Sequence, residues 1–255
     1  MKPLIVLPTY NEAENIVEVL DRAREAVPEA DILVVDHASP DGTADLAARW
    51  GSSRGGGVSV LRRPGKAGLG SAYRAGFAVG LDQGYDALIE MDSDLSHDPA
   101  ALPALISAVD NGADLAIGSR YVPGGTIPVW PKYREYLSRG GNRYASSMLG
   151  LQVRDATAGF RCYGAGMLSR IDLDAITADG YGFQIEMAYA VARRGGRIVE
   201  VPISFTDRVR GTSKMSSRIV VEALVLVTWW ALRDRILRRG RLVDDAHSGV
   251  VGDEH

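Results

Sequence analysis

The residues best suited to chemistry lie in a short acidic stretch, Ile89-Glu90-Met91-Asp92-Ser93-Asp94. The apolar run from Ala87 to Met91 predicts a buried strand that delivers two aspartates, one residue apart, at its carboxyl end. Where that spacing stays extended, residues i and i+2 point to the same side. Like charges held side by side are costly unless a cation sits between them. Hard carboxylate oxygens select magnesium or manganese over zinc. Two further polar clusters, Thr9–Glu12 and Asp36–Asp41, follow the short aliphatic runs Leu4–Leu7 and Ile32–Val35 in the same way.

The elements that must position these clusters follow from the apolar pattern. Leu4–Leu7, Ile32–Val35, Val58–Leu61, Ala87–Met91 and Leu115–Ile117 read as strands. Between them lie helical patterns: one carrying Ile16, Val17, Val19 and Leu20, capped by Thr9 or Asn11, then Thr43–Trp50, Leu69–Leu81 and Pro99–Val109. Alternation of this kind predicts an α/β fold, a mainly parallel sheet sandwiched by helices. Ligands of such sheets bind beyond the carboxyl ends of the strands, where all three clusters fall.

After Arg120 the rhythm breaks into a proline- and glycine-rich loop, Val122–Pro131, long enough to be functional. A helix over Tyr133–Leu149, a strand over Ala156–Tyr163, a helix over Gly182–Arg193 and a strand over Arg197–Phe205 are expected next. Asp207–Lys214 is polar, basic and flexible in character. From Ile219 to Leu232 only Glu222 and Thr228 interrupt the apolar residues, and Arg233, Arg235, Arg238, Arg239 and Arg241 follow Trp229-Trp230. That stretch is too short to span a bilayer but has the composition of an amphipathic membrane-interface helix. The expected organisation is a domain over 1–215, the interfacial helix over 216–241 and a disordered polar tail over 242–255.

The 255 residues carry a formal net charge of −3, with 46% hydrophobic and 24% charged residues, so no global basic field points to nucleic acid. The single cysteine, Cys162, excludes an intrachain disulfide and a cysteine-rich zinc site and reads as a small buried hydrophobe. The run after Lys2 is too short for a signal peptide, which predicts a cytoplasmic protein held peripherally on the cytoplasmic face of a membrane. The first strand's turn lacks the glycines of a dinucleotide site, and Gly65-Lys66-Ala67-Gly68 lacks the spacing of a P-loop.

Taken together, Pro8-Thr9-Tyr10-Asn11-Glu12, Val35-Asp36-His37 with Ser39-Pro40-Asp41-Gly42-Thr43, and Met91-Asp92-Ser93-Asp94-Leu95-Ser96-His97 resemble the family-2 glycosyltransferases of GT-A (Rossmann-like) fold. Gly118-Ser119-Arg120-Tyr121, Thr157-Ala158-Gly159-Phe160-Arg161, Glu200-Val201-Pro202-Ile203, Asp207-Arg208 and Gly211-Thr212-Ser213-Lys214-Met215 narrow the resemblance to polyprenol (dolichol) monophosphate mannose synthases, in order from about residue 4 to 216. The resemblance implies transfer of mannose from GDP-mannose to a polyprenyl phosphate with inversion, at a membrane surface and with room for a membrane-protein partner. It implies that Pro8, Tyr10, Glu12, Val35, Asp36 and His37 hold the nucleoside. Asp92 and Asp94 would bind Mg2+ or Mn2+ on the diphosphate, with Ser93 alongside. Arg120 and Arg134 would meet the acceptor phosphate, and Arg208 and Lys214 would close over the phosphates. His97 reads as a helix-start residue, or as one that supports the ligands from behind, rather than as a ligand itself.

This chain departs from the family at two positions. His37 stands where a second aspartate is usual, and Ser96 where some relatives carry a metal-binding glutamine, so that a serine would reach the ion weakly or through water. The chemistry fits the residue list: a phosphomonoester has a second pKa of about 6, so the acceptor is largely ionised at neutral pH and needs no general base. The protein's task is to bring two highly negative groups together and to neutralise the departing diphosphate, which makes Asp94, Arg120 and Arg134 the catalytic set. The competing expectations are a UDP-sugar donor for the same lipid, and a nucleotide-sugar-binding scaffold without turnover.

Overall fold

Successive residues of a strand face opposite ways, and here both faces are apolar, so the sheet must be covered twice. The computed structural model describes residues 1–54, 56–65, 67–206 and 222–234. Its strands are β1 (Pro3–Thr9), β2 (Asp31–Asp36), β3 (Val58–Arg62), β4 (Ala87–Glu90), β5 (Leu115–Ser119), β6 (Arg161–Gly164) and β7 (Ile198–Pro202). They form one sheet in the order β3-β2-β1-β4-β6-β5-β7. The pairings β1 with β2, β1 with β4, β2 with β3 and β5 with β7 are parallel. Among the described strands only β6 runs antiparallel, between β4 and β5.

The helices are α1 (Ile16–Ala26), α2 (Thr43–Ser53), α3 (Leu69–Asp82), α4 (Leu102–Asp110) after a 3-10 turn at Pro99–Ala101, α5 (Lys132–Leu149), α6 (Ala165–Leu168) and α7 (Gly180–Arg193). Residues 222–234 are also helical. Leu4, Val6, Leu33, Val35, Leu88 and Tyr163 point to the face covered by α3, α7 and the end of α5. Their neighbours Ile5, Leu7, Ile32, Val34, Ile89 and Cys162 point to the face covered by α1, α2 and α4. Cys162 is buried, and burial pushes its thiol up to about 12, as expected of a packing residue.

Several element ends differ from expectation for identifiable reasons. α1 begins at Ile16 with Asn15 before it, because Thr9 spends its hydroxyl on Asp36 at 2.9 Å and Asn11 adopts a left-handed φ of 59°. The strand expected from Ala156 pairs only from Arg161. The fully buried Arg161 guanidinium folds the preceding segment back, donating to the carbonyls of Ala156 and Ala158 at 2.7 Å each and to that of Gln184 at 2.7 Å. The last strand stops at Pro202: Ile203 still donates to the Ser119 carbonyl at 3.1 Å, but Ser204 and Phe205 then pair with Thr126 and His97 instead of β5. The helical residues 222–234 fall inside the expected interfacial stretch; the 215/216 boundary and the tail 242–255 lie outside the described residues.

α3 lies unusually close to the sheet. A Cβ on Gly76 would fall 2.4 Å from Val6 Cγ1, and one on Gly80 2.4 Å from Leu88 Cδ2. Gly76→Val is therefore expected to destabilise the protein by about 1–3 kcal/mol through overpacking. Gly140→Ala on α5, where the added Cβ meets nothing within 4 Å, is expected to stabilise it by about 0.5–1 kcal/mol through helix propensity. Urea unfolding of the two variants checks both signs.

Candidate active site

The carboxyl ends of β1, β2 and β4 open into one cavity of about 490 Å3. Of the residues singled out from sequence, Pro8, Tyr10, Glu12, His37, Asp92, Ser93 and Asp94 line it together. The opposite wall comes from Gly68 and Leu69 ahead of α3, from Asp179, Gly180 and Gly182 at the start of α7, and from Glu222, Ala223 and Leu226. No lysine or arginine is among these described lining residues, whereas five carboxylates are: Glu12, Asp92, Asp94, Asp179 and Glu222.

The two central aspartates arrive by a route the strand pattern did not anticipate. β4 ends at Glu90, and the chain then bends, with Leu95 at a left-handed φ of 63°. The i, i+2 extended geometry therefore does not hold; a turn brings both carboxylates to the cavity. Asp94 is almost fully buried and accepts the Ser96 N–H at 3.0 Å, which fixes the turn. Asp92 is more open and lies 3.4 Å from the Tyr73 hydroxyl, which donates to it. Ser93 donates to the Pro8 carbonyl at 2.8 Å and ties the acidic turn to the end of β1. Ser96 is buried and outside the cavity lining; its main chain, not its hydroxyl, serves Asp94. Glu90 belongs to the core: burial raises its carboxyl to about 7 against the pull of Arg161, with the charge of Asp92 adding to the rise.

Three non-glycine residues among those described have positive φ: Asn11, Ala38 and Leu95. Each follows a strand end that feeds the cavity. Such conformations cost free energy and persist where surrounding structure enforces them, often at functional sites.

His37 lines the cavity, and its Nδ1 stands between the Ala67 N–H at 3.1 Å and the Gly65 carbonyl at 3.2 Å, accepting from the first or donating to the second according to the tautomer of the ring. Burial, reinforced by the charge of Arg63, holds His37 below its ordinary pKa and keeps it neutral. Asp36 and Val35 sit beneath this layer and do not line the cavity. Val35 is core, and Asp36 accepts from Thr9 Oγ1, Ser39 Oγ and Ser39 N at 2.9, 2.6 and 2.9 Å, holding the two turns in register.

The arginines assigned to an acceptor lie outside this cavity lining. Arg120 is buried and bound in bidentate fashion to buried Asp155, through Nε at 2.7 Å and Nη2 at 2.6 Å, with Thr157 Oγ1 at 3.0 Å. Its charge is thus largely matched within the protein. Trp130 lies between the two arginines, its ring centroid 3.9 Å from the Arg134 guanidinium and 5.6 Å from that of Arg120. Phe205 packs edge-on to Trp130 and to His97. His97 in turn accepts the Asp92 N–H on Nδ1 at 3.2 Å and stacks on Phe160. A continuous line of aromatic contacts therefore joins the acidic turn to both arginines. Arg208 and Lys214 lie outside the described residues.

Asp155, Asp179 and Glu222 are absent from the sequence-derived list. Asp179 carries a local signal, an aspartate before a helix, and it accepts the N–H groups of Gly180 and of Gly70 at 3.0 and 2.7 Å, tying the starts of α7 and α3 together. Asp155 has no local signal, since its partner is 35 residues away.

Fold and site together define a glycosyltransferase of GT-A architecture. Residues 4–173 match the model of glycosyl transferase family 2, and the chain belongs to that family. It is 54% identical over 238 residues to undecaprenyl-phosphate mannosyltransferase of Micrococcus luteus, covering 92% of this chain and 96% of that one. It is 48% identical over 237 residues to polyprenol monophosphomannose synthase of Mycolicibacterium smegmatis, covering 93% and 89%. Among solved structures, glucosyl-3-phosphoglycerate synthase from Mycobacterium tuberculosis with Mn2+, UDP-glucose and phosphoglyceric acid superposes with a TM-score of 0.68 over 90% of this chain and 79% of that one; at 18% identity this shows the common fold.

Arg120→Met strands the buried Asp155 charge and is expected to cost about 3–5 kcal/mol of stability. The double variant Arg120→Met/Asp155→Leu is expected to recover most of it in urea denaturation. His97 gives a pH signature. Burial lowers it from 6.5 to about 4, so the unfolded chain binds the extra proton. Its contribution is fully present above about pH 6.5 and is lost as pH falls towards about 4. The urea midpoint of His97→Asn is expected to fall less steeply than that of the unmodified protein between those limits.

Proposed function

We propose that this chain transfers mannose from GDP-mannose to the phosphate of a polyprenyl lipid, with inversion, at a membrane surface. The observation that carries the reading is the cavity in which Tyr10, Glu12 and His37 meet Asp92, Ser93 and Asp94, in a chain 54% identical to an undecaprenyl-phosphate mannosyltransferase.

The donor set fits a hard divalent ion. No group of three or more His, Cys, Asp or Glu among the described residues would hold a metal alone. Two carboxylates with the remaining positions left to water and phosphate oxygens is how Mg2+, and by similar chemistry Mn2+, is bound beside nucleotides. Such an ion, when bound by Asp92 and Asp94, supplies charge that offsets the departing diphosphate. The protein's own residues do the rest. Pro8, Tyr10, Glu12 and His37 form the nucleoside wall, with Asp36 holding that wall from below. Arg208 and Lys214, not among the described residues, supply positive charge to a cavity whose described lining has neither lysine nor arginine. Arg134, stacked on Trp130, receives the acceptor phosphate. Arg120, matched by Asp155, holds Trp130 and orients that receiving end, contributing less net charge than an unpaired arginine would. Neither a general base nor a covalent intermediate is required, because the phosphate oxygen is already a nucleophile near neutral pH.

Among the described residues no helix is long and apolar enough to cross a membrane. Contact with a lipid surface is instead supported by exposed apolar side chains: Tyr133, Tyr136 and Leu137 on α5, and Val225, Trp229 and Leu232 in 222–234. A UDP-sugar donor is the second reading, favoured by the neutral ring of His37 in the cavity lining, where a second aspartate is usual.

The deciding assay compares GDP-mannose with UDP-glucose on polyprenyl phosphate, with and without chelator. Lipid-linked mannose from GDP-mannose, abolished by chelation, is expected. Product from UDP-glucose alone would overturn the donor assignment. Asp94→Asn, which keeps an oxygen for the Ser96 N–H, is expected to lower turnover by at least about 100-fold while leaving the unfolding midpoint near that of the unmodified protein.

A further inference from the structure

The helical residues 222–234 have two faces with different neighbours. Ala223, Val227, Trp230 and Ala231 are buried, and Leu226 Cδ1 lies 3.3 Å from where a Cβ on Gly182 would stand. From that inner side Glu222, Ala223 and Leu226 form part of the nucleotide cavity. The outer side is apolar and in water: Val225 and Trp229 are each 62% exposed and Leu232 is 47% exposed. Two polar latches hold the helix. Thr228 Oγ1 pairs with the Tyr144 hydroxyl of α5 at 2.7 Å, and Asp234 accepts from Tyr189 and Arg193 of α7.

α5, to which the first latch runs, repeats the inversion. Its buried residues are Asn142, Ala145 and Ser146, while Tyr133, Tyr136, Leu137 and Tyr144, spaced as one helical stripe, face outward. Lys132, Arg139 and Arg143 are exposed along the same helix. An outward apolar stripe rich in aromatic residues, flanked by cations, is complementary to an anionic lipid surface.

We propose that the helix 222–234 is a wall shared by two ligands, so that adsorption of its outer face to an anionic lipid surface and binding of nucleotide against its inner face are thermodynamically linked. This rests on the lipid-acceptor reading above. Insertion of Val225, Trp229 and Leu232 into a lipid interface fixes the helix axis, and with it the positions of Glu222, Ala223 and Leu226. Nucleotide in the cavity favours the same seated pose from the other side. The linkage is reciprocal: the factor by which lipid tightens nucleotide binding equals the factor by which nucleotide tightens lipid binding. The donor site then fills most readily where the acceptor is found.

The test uses the full chain, Mn2+ and either GDP or UDP, whichever binds without lipid. Nucleotide affinity is measured with and without vesicles of phosphatidylcholine and phosphatidylglycerol, and vesicle affinity with and without nucleotide. Equal enhancements of about tenfold in the two directions are expected. Val225→Glu/Trp229→Glu is expected to keep the vesicle-free nucleotide affinity and to lose both enhancements. Vesicle binding with unchanged nucleotide affinity would overturn the linkage while leaving the lipid-acceptor reading intact. Failure to bind vesicles would overturn the surface itself. So would a dimer in vesicle-free solution that the double variant converts to monomer, since the face would then belong to a second copy of the chain.

Discussion

Carboxylates repel one another, and the cavity at the strand ends collects them. Glu12, Asp92, Asp94, Asp179 and Glu222 share its wall with no described lysine or arginine among them. A divalent ion held between carboxylates is one way in which such repulsion is relieved. Some of the repulsion is relieved locally, because Asp179 is bound to the N–H groups that begin α3 and α7, and Asp94 to that of Ser96.

Positive charge on the far side is managed differently. Arg120 is buried, and an unpaired buried guanidinium would be costly, so Asp155 meets it with two short hydrogen bonds. What remains for a ligand is geometric: Arg120 packs beside Trp130 and Phe205, and Trp130 carries Arg134 on its ring. The same Phe205 touches His97, which holds the main chain of Asp92. The acidic turn and both arginines are thus joined by one packed line of rings, whose spacing resists change because interiors are close-packed.

The helix 222–234 extends this economy of parts. Its inner residues line the cavity and its outer residues are apolar and exposed, so Trp229 and Trp230, adjacent in sequence, serve opposite surroundings. α5 shows the same reversal, with asparagine and serine inward and tyrosine and leucine outward. Neither helix would be arranged so if its only neighbour were water.

The sequence by itself determined the alternation of strands and helices, because a buried strand must be apolar and a turn must break that run. It also determined the three polar clusters, because residues at strand ends need no tertiary information to be located. Pro8, Tyr10, Glu12, His37, Asp92, Ser93 and Asp94 were legible for that reason, and the structure brings them to one cavity. Only the tertiary structure decided how the pair Asp92 and Asp94 is presented, since a bend with Leu95 at positive φ replaces the extended spacing and nothing in a leucine announces it. It alone placed Asp36 and Val35 beneath the site, matched Arg120 with Asp155 across 35 residues, turned the apolar stripe of α5 outward and brought Glu222 into the same cavity lining as Asp94. The physical reason is common to all of these. Local pattern fixes which groups must be buried or bent, whereas the partner that satisfies a buried charge is chosen by packing between segments far apart in the chain.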